Sequence, residues 1–293
     1  MTKTAWVFPG QGSQKVGMGI DLLDLPSAKA KFEQANQILG WSVTEICRSE
    51  EEKLSQTVYT QPCLYVVESI LADEMFAHSF QPNLVAGHSL GEYVALYVAG
   101  VFDFETGLKL VKKRSELMNN LTDGKMAALM GFDRKQLEEE LQQTPGVVLA
   151  NDNNSAQVVI SGTPEAVEIL LGKVKTKRAV KLNVSGAFHS PLMESASREF
   201  QQILKSVEFA DAKVPIISNF EPIASQDAET IKLRLYQQMT NGVRWRETSI
   251  EIEKEGIEKV IEIGPGKVLT GLIKRTCPDL KLVNVSNLEE IGK

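Results

Sequence analysis

Residues 85–100 read VAGHSLGEYVALYVAG: an apolar run, then Gly-His-Ser-Leu-Gly, then a helix-like stretch. A Gly-x-Ser-x-Gly between a strand and a helix is the pattern of a nucleophile elbow, which would put Ser89 on a strained turn with its hydroxyl exposed. Gly87 and Gly91 would permit the tight turn and the close approach of helix to strand. The Leu90 N–H, at the start of the new helix, would be free to donate to an oxyanion. The competing reading is a serine in an ordinary strand–helix connection. If the elbow is real, the fold is built from strand–turn–helix units, and the open question is what receives the acyl group. Water would make a hydrolase; another nucleophile would make a transferase.

Reading outward, TAWVF (4–8) is a short strand ending in the turn PGQGSQ, and 27–39 is an amphipathic helix. PCLYVVESILADEMF (62–76) is a mostly buried helix, and NLVAGHS runs as a strand into the Ser89 turn. A helix follows over 90–99, and Asp103 is an N-cap for the next, through about residue 120. Such alternation predicts a mostly parallel sheet covered by helices. After TDGK (122–125) the pattern changes. MAALMGF, RKQLEEELQQ, VVLANDN, AQVVISG, PEAVEILLGKVK and RAVKLNV read as β-α-β-β-α-β, a ferredoxin-like unit. From Ser190-Pro191 a long helix begins, and VPIISNF, KVIEIGPG and LVNVSN supply further strands that complete the first sheet. The expected class is α/β: a hydrolase-like domain over 1–124 and 186–293, carrying a ferredoxin-like subdomain over 125–185.

The chain has 293 residues, 43% hydrophobic and 24% charged, and a formal net charge of −6. That balance argues against a general nucleic-acid binder, which is usually basic. No apolar run approaches the ~20 residues of a membrane span, and the N-terminus shows no signal-peptide core. Three cysteines (Cys47, Cys63, Cys277) lack metal-type spacing and fit reduced thiols in a cytoplasm. No metal site is expected.

A serine nucleophile needs a base, and the histidines are His78, His88 and His189. His88 adjoins Ser89, but neighbouring side chains at such a turn diverge, which suits packing. His78 ends a helix, as a cap or surface residue. His189, in SGAFHSPLM, stands just before a helix opened by Ser190 and Pro191, whose positive end favours a neutral imidazole. Elimination makes it the candidate base. No acidic residue presents itself as its partner, and no histidine follows it, unlike the Ser…Asp/Glu…His order of α/β-hydrolases; a backbone carbonyl could hold the tautomer instead.

Arg114 falls on the apolar face of its helix, with Leu110, Val111, Leu117 and Met118. An arginine there needs a carboxylate partner: a structural Asp or Glu, or a substrate carboxylate held in a bidentate clamp. PGQGSQKVGMG (9–19) lacks both the GK[ST] of a phosphate loop and the third glycine of a dinucleotide fingerprint. It reads better as a turn that brings the Gln11 N–H to the serine. Lys173, Lys175, Lys177, Arg178 and Lys181 form a basic run, read either as a solvated face or as a docking patch for an acidic partner.

Together FPGQGSQ, GHSLGEY, KKR (112–114), GAFHSPLM and IEIGPGKVL closely resemble the malonyl-CoA:acyl carrier protein transacylases, stand-alone bacterial acyltransferases of fatty-acid synthesis, from residue 4 to about 275. The resemblance implies Ser89 as nucleophile, His189 as base, Arg114 as the carboxylate-binding arginine, and the Gln11 and Leu90 N–H groups as oxyanion donors. It puts Gln61, in TQPCL, near the acyl pocket and a main-chain carbonyl of NGVRW (241–245) on the histidine, expected at Arg244. AFH is similar to the malonyl-type pattern of that family, with Phe188 crowding an added methyl group by ~1–3 kcal/mol. The implied enzyme is an [acyl-carrier-protein] S-malonyltransferase, a cytoplasmic monomer with malonyl-CoA and acyl carrier protein as partners and no cofactor. The alternatives are a trans-acting acyltransferase of a polyketide synthase, a serine (thio)esterase and a non-catalytic docking partner for a carrier or synthase.

Overall fold

The computed structural model describes residues 2–121, 123–184 and 186–292. Ser185, at the expected end of the inserted unit, lies outside them, as do Met1, Thr122 and Lys293. Among the described residues ten strands form two sheets: β1 (Thr4–Phe8), β2 (Leu84–Gly87), β3 (Lys125–Phe132), β4 (Val147–Asn154), β5 (Gln157–Gly162), β6 (Thr176–Lys181), β7 (Ile216–Ile217), β8 (Ala224–Ser225), β9 (Lys259–Ile263) and β10 (Lys281–Val285).

The larger sheet has the order β10-β9-β1-β2-β7-β8, parallel throughout except for β8. Its central strand β1 is buried on both faces, with Trp6 and Phe8 in one core cluster and Ala5 and Val7 in the other. That is why TAWVF is apolar without alternation. VPIISNF is strand only over Ile216–Ile217, and the following Ser218 and Asn219 are buried polar residues rather than sheet partners. The smaller sheet has the order β4-β5-β3-β6, antiparallel throughout, the strand order of a ferredoxin-like unit. Its helices bury Leu137, Ala166, Val167 and Leu170 against Ala127, Leu129 and Ile160.

The helix expected from Ser190 is broken. Ser190 Oγ accepts from Leu192 N at 3.3 Å, Pro191–Met193 form a 3-10 turn, and the α-helix proper runs over Glu194–Ser206. Asp103 caps the helix Phe104–Asn119, its Oδ1 accepting from Thr106 N at 2.8 Å. Strand β4 joins the small sheet to the segment that opens the helix Trp245–Lys254. Asn151 of β4 bridges Val243, and Asp152 holds Arg246 at 2.9 Å and Arg134 at 2.7 Å.

Candidate active site

The elbow is stereochemically demanding. Ser89 has φ 54°, in the left-handed region that non-glycine residues avoid. A Cβ on Gly87 would lie 1.9 Å from the Gly91 carbonyl carbon, and one on Gly91 would lie 1.9 Å from the Phe8 oxygen. Both motif glycines are therefore required by the packing of the helix Gly91–Val98 onto β1 and β2.

Ser89 Oγ lies 2.8 Å from His189 Nε2, and His189 Nδ1 lies 2.9 Å from the Gln238 carbonyl. A carbonyl only accepts, so Nδ1 carries the proton and Nε2 offers its lone pair to the serine hydroxyl. His189 also has positive φ, 55°. Burial, then the nearby Arg114 charge, push its pKa down to about 3. The imidazole is thus neutral at physiological pH. His78 caps the helix Thr57–Ala77, its Nδ1 2.8 Å from Glu74 O. His88 does more than pack on Trp245: its Nε2 lies 3.0 Å from Asn153 Oδ1, tying the elbow to the small sheet.

The expected carbonyl, Arg244, is corrected by this geometry. Arg244 opens the helix Trp245–Lys254, and its oxygen accepts from Thr248 N at 2.9 Å as the first helical bond. Its side chain pairs with Glu247. Gln238 instead ends the helix Ala228–Gln238, where carbonyls have no partner within the helix. The sequence offered no signal for this beyond a glutamine near a helix end.

Arg114 is fully buried with no carboxylate ion-paired to it among the described residues. Nη1 donates to Gln61 Oε1 at 2.8 Å; Nη2 donates to Ser89 Oγ and to Gln238 Oε1, both at 3.0 Å. Its guanidinium carbon lies 5.3 Å from the Tyr93 ring centre. Gln61 Nε2 donates to Met118 Sδ at 3.3 Å. The N–H groups of Gln11 and Leu90 have no hydrogen-bond acceptor among the described residues, and both residues stand at the serine end of the two converging turns. Their approach is tight, since a Cβ on Gly10 would lie 2.4 Å from the His88 oxygen and 3.6 Å from Leu90 N.

A cavity of about 250 Å³ opens over Ser89 between the two sheets. It is smaller than the roughly 300–1,000 Å³ of sites for drug-sized ligands, which suits a short acyl group. Phe188, Met118, Met126, Val159 and Leu269 make its apolar wall, and Phe188 is buried. Among the described residues no group of three or more His, Cys, Asp or Glu could hold a metal ion. No described helix is long and apolar enough to cross a membrane.

Three residues unforeseen in the sequence organise this site. Asn219 Oδ1 accepts from Ser89 N at 2.6 Å and its Nδ2 donates to Gly87 O at 2.5 Å. Gln238 Nε2 donates to Ser89 O at 2.9 Å and to Glu92 Oε2 at 2.7 Å. Glu92 alone left a trace in the sequence, as a charged residue inside the apolar run GEYVALYV.

Residues 5–292 match the model of the acyl transferase domain. The chain belongs to the acyl transferase family. Over 290 residues it is 57% identical to a malonyl CoA-acyl carrier protein transacylase of Synechocystis sp., covering 99% of each chain. The crystal structure of a Synechocystis malonyl-CoA:ACP transacylase superposes with a TM-score of 0.98 at 57% identity, again covering 99% of each chain. A polyketide biosynthesis malonyl CoA-acyl carrier protein transacylase of Bacillus subtilis is 42% identical, covering 94% of this chain and 97% of its own. A malonyl-transacylase solved in complex with a type II PKS acyl-carrier protein superposes with a TM-score of 0.93 at 35% identity, covering 99% of this chain and 98% of its own. This acyl transferase is therefore an enzyme built on the α/β architecture of those transacylases.

Proposed function

We propose that this enzyme moves a malonyl group from malonyl-CoA to the phosphopantetheine thiol of acyl carrier protein, through a malonyl ester of Ser89. The observation that carries the reading is Arg114: a buried guanidinium, lacking a carboxylate ion pair among the described residues, within 3.0 Å of the nucleophile. Leaving such a charge unpaired is costly, and the free carboxylate of a malonyl thioester supplies the missing partner. An acetyl group would not.

In the first half-reaction Ser89 Oγ attacks the thioester carbonyl and its proton passes to His189 Nε2. The imidazolium so formed is held by the Gln238 carbonyl. The oxyanion accepts hydrogen bonds from the Gln11 and Leu90 N–H groups. On collapse the C–S bond breaks, and His189 returns the proton to the departing thiolate. The second half-reaction runs the same steps backwards with the carrier thiol as nucleophile. No metal or redox group has a step in this scheme. Gln61 steadies Arg114, and Phe188 narrows the space beside the acyl α-carbon. Residues 125–185 act as a ferredoxin-like subdomain roofing the cleft, and 1–124 with 186–293 form the domain beneath. A chain of this kind is expected to work in the cytoplasm, as a monomer, on supply to fatty-acid synthesis.

Intact-mass measurement after mixing with malonyl-, methylmalonyl- and acetyl-CoA tests the reading. A malonyl adduct that forms fastest and disappears in Ser89→Ala is expected, and Arg114→Ala should lose most of the malonyl preference. Free malonate with no malonyl-carrier, when carrier protein is added, would make the enzyme a thioesterase instead. Relatives at 42–43% identity that serve polyketide biosynthesis support a second reading, trans-acting loading of a polyketide carrier. Comparing loading rates of fatty-acid and polyketide carrier proteins separates the two.

A further inference from the structure

Glu92 is fully buried, three residues beyond the nucleophile, and has no place in the acyl-transfer scheme. Its Oε2 accepts from two donors, Gln238 Nε2 at 2.7 Å and Asn219 N at 3.1 Å. Those two residues are the ones that grip everything else. Asn219 holds both flanks of the strained turn, at Ser89 N and Gly87 O. Gln238 holds Ser89 O with its amide nitrogen, Arg114 Nη2 with its amide oxygen, and His189 Nδ1 with its main-chain carbonyl.

We propose that Glu92 is a positioning residue for acyl-group selection: by fixing the Gln238 amide and the Asn219 backbone from beneath, it aims Arg114 at the acyl carboxylate beside Ser89. The inference rests on the malonyl-transfer reading and extends it to a residue that touches neither substrate nor base. The physical reason lies in the amide. A glutamine side chain can turn over, and its two ends differ only in donor against acceptor. With the carboxylate of Glu92 and the carbonyl of Ser89 both accepting on one side, the nitrogen must face them. The oxygen must then face Arg114. Replace the carboxylate by an amide and that fixed acceptor becomes a group that can itself turn over to present a donor, so the Gln238 amide and the guanidinium that leans on it lose their single orientation. Charge acts in the same direction: burial disfavours the Arg114 cation, and Glu92, whose own carboxyl is pushed up by burial but drawn back by its Gln238 and Asn219 donors and by Arg114, is the carboxyl that supports that cation through space. Displacements of about 1 Å at a reacting centre cost on the order of 100-fold in rate, so the effect should be measurable.

The test compares Glu92→Gln, Gln238→Leu and the double variant with the parent enzyme. Each is loaded with malonyl-CoA and with acetyl-CoA, and kcat/KM is measured for both, with a thermal melt as the control for folding. Glu92→Gln keeps size and one acceptor oxygen but removes the charge; Gln238→Leu keeps the carbonyl on His189 and removes the amide. Each single variant is expected to lower the malonyl-to-acetyl ratio about 10-fold, with the loss in malonyl loading, and the double variant to lower it no further. A merely structural role would depress both acyl groups alike and leave the ratio unchanged; that result, or strictly additive losses, overturns the proposal. Should Glu92→Gln not fold, Gln238→Leu decides alone, an unchanged ratio again overturning it. Parent enzyme that forms no malonyl-Ser89 would instead sink the malonyl-transfer reading itself.

Discussion

Two side chains with left-handed backbone, Ser89 and His189, face each other across 2.8 Å, and each is held there by a carbonyl or amide from a different part of the chain. The electrostatic consequence is sharpest for His189. Burial and the Arg114 charge keep it neutral down to about pH 3, against an ordinary value of 6.5. Acylation of Ser89 in single turnovers should therefore show no acid limb near pH 6.5; a fitted pKa of 6–7 assigned to His189 would contradict this. The same shift enters stability with a definite sign. A histidine whose folded pKa is depressed contributes stability fully above 6.5, lost progressively as pH falls towards 3, because the unfolded chain takes up a proton that the folded one refuses.

At the scale of elements, the helix Val268–Thr276 has two unlike faces. Leu269 and Leu272 line the cleft, while Lys267, at its N-terminus, Lys274 and Arg275 are exposed. Glu262 anchors its first turn, accepting from Leu269 N at 2.9 Å and Thr270 N at 2.7 Å. The basic run of residues 173–181 is less free than its sequence suggests: Lys173 pairs with Glu140, and Lys181 with Glu168. Carrier proteins are generally acidic, so the exposed cations of this helix, which also supplies Leu269 and Leu272 to the cleft, are the better docking surface. Reversing Lys274 and Arg275 to glutamate should raise the KM for carrier protein several-fold and spare that for malonyl-CoA. Reversing Lys175 and Arg178 should do less, and the opposite ranking would return docking to the small sheet. Elements of this kind were legible wherever periodicity or a cap announced them, as with Asp103. VPIISNF shows the failure: its apolar residues suggested a strand, yet only two residues pair because Asn219 turns aside to hold Ser89.

For the whole molecule, the residue least expected in a core is Glu68. It is fully buried on the helix Thr57–Ala77, and neither carboxyl oxygen has a hydrogen-bond partner among the described residues. Burial, with the Glu262 charge adding to it, pushes its pKa well above the usual carboxylate range. A carboxyl raised in the folded state contributes stability below its unfolded pKa and loses it as pH rises through the folded one. Glu68→Gln should thus raise the melting temperature, and by more at pH 8 than at pH 5. Each kcal/mol corresponds to about 2–4 °C in domains of roughly 150–250 residues. Equal shifts at both pH values would show that Glu68 does not titrate across that range.

What the chain by itself determined was local and chemical. Gly-His-Ser-Leu-Gly could be read as an elbow because only glycine fits where helix and strands touch. Arg114 stood out because a cation on an apolar helix face demands an anion, and His189 emerged because few histidines compete. Tertiary structure decided what depends on distant segments meeting. Nothing near NGVRW distinguishes the Gln238 carbonyl from that of Arg244 until helix geometry leaves one oxygen free and consumes the other. Glu92, Asn219 and Gln238 lie 127 and 146 residues apart along the pairs that bind them. A hydrogen bond is set by direction and distance in space, and sequence spacing carries neither once the partners belong to different elements.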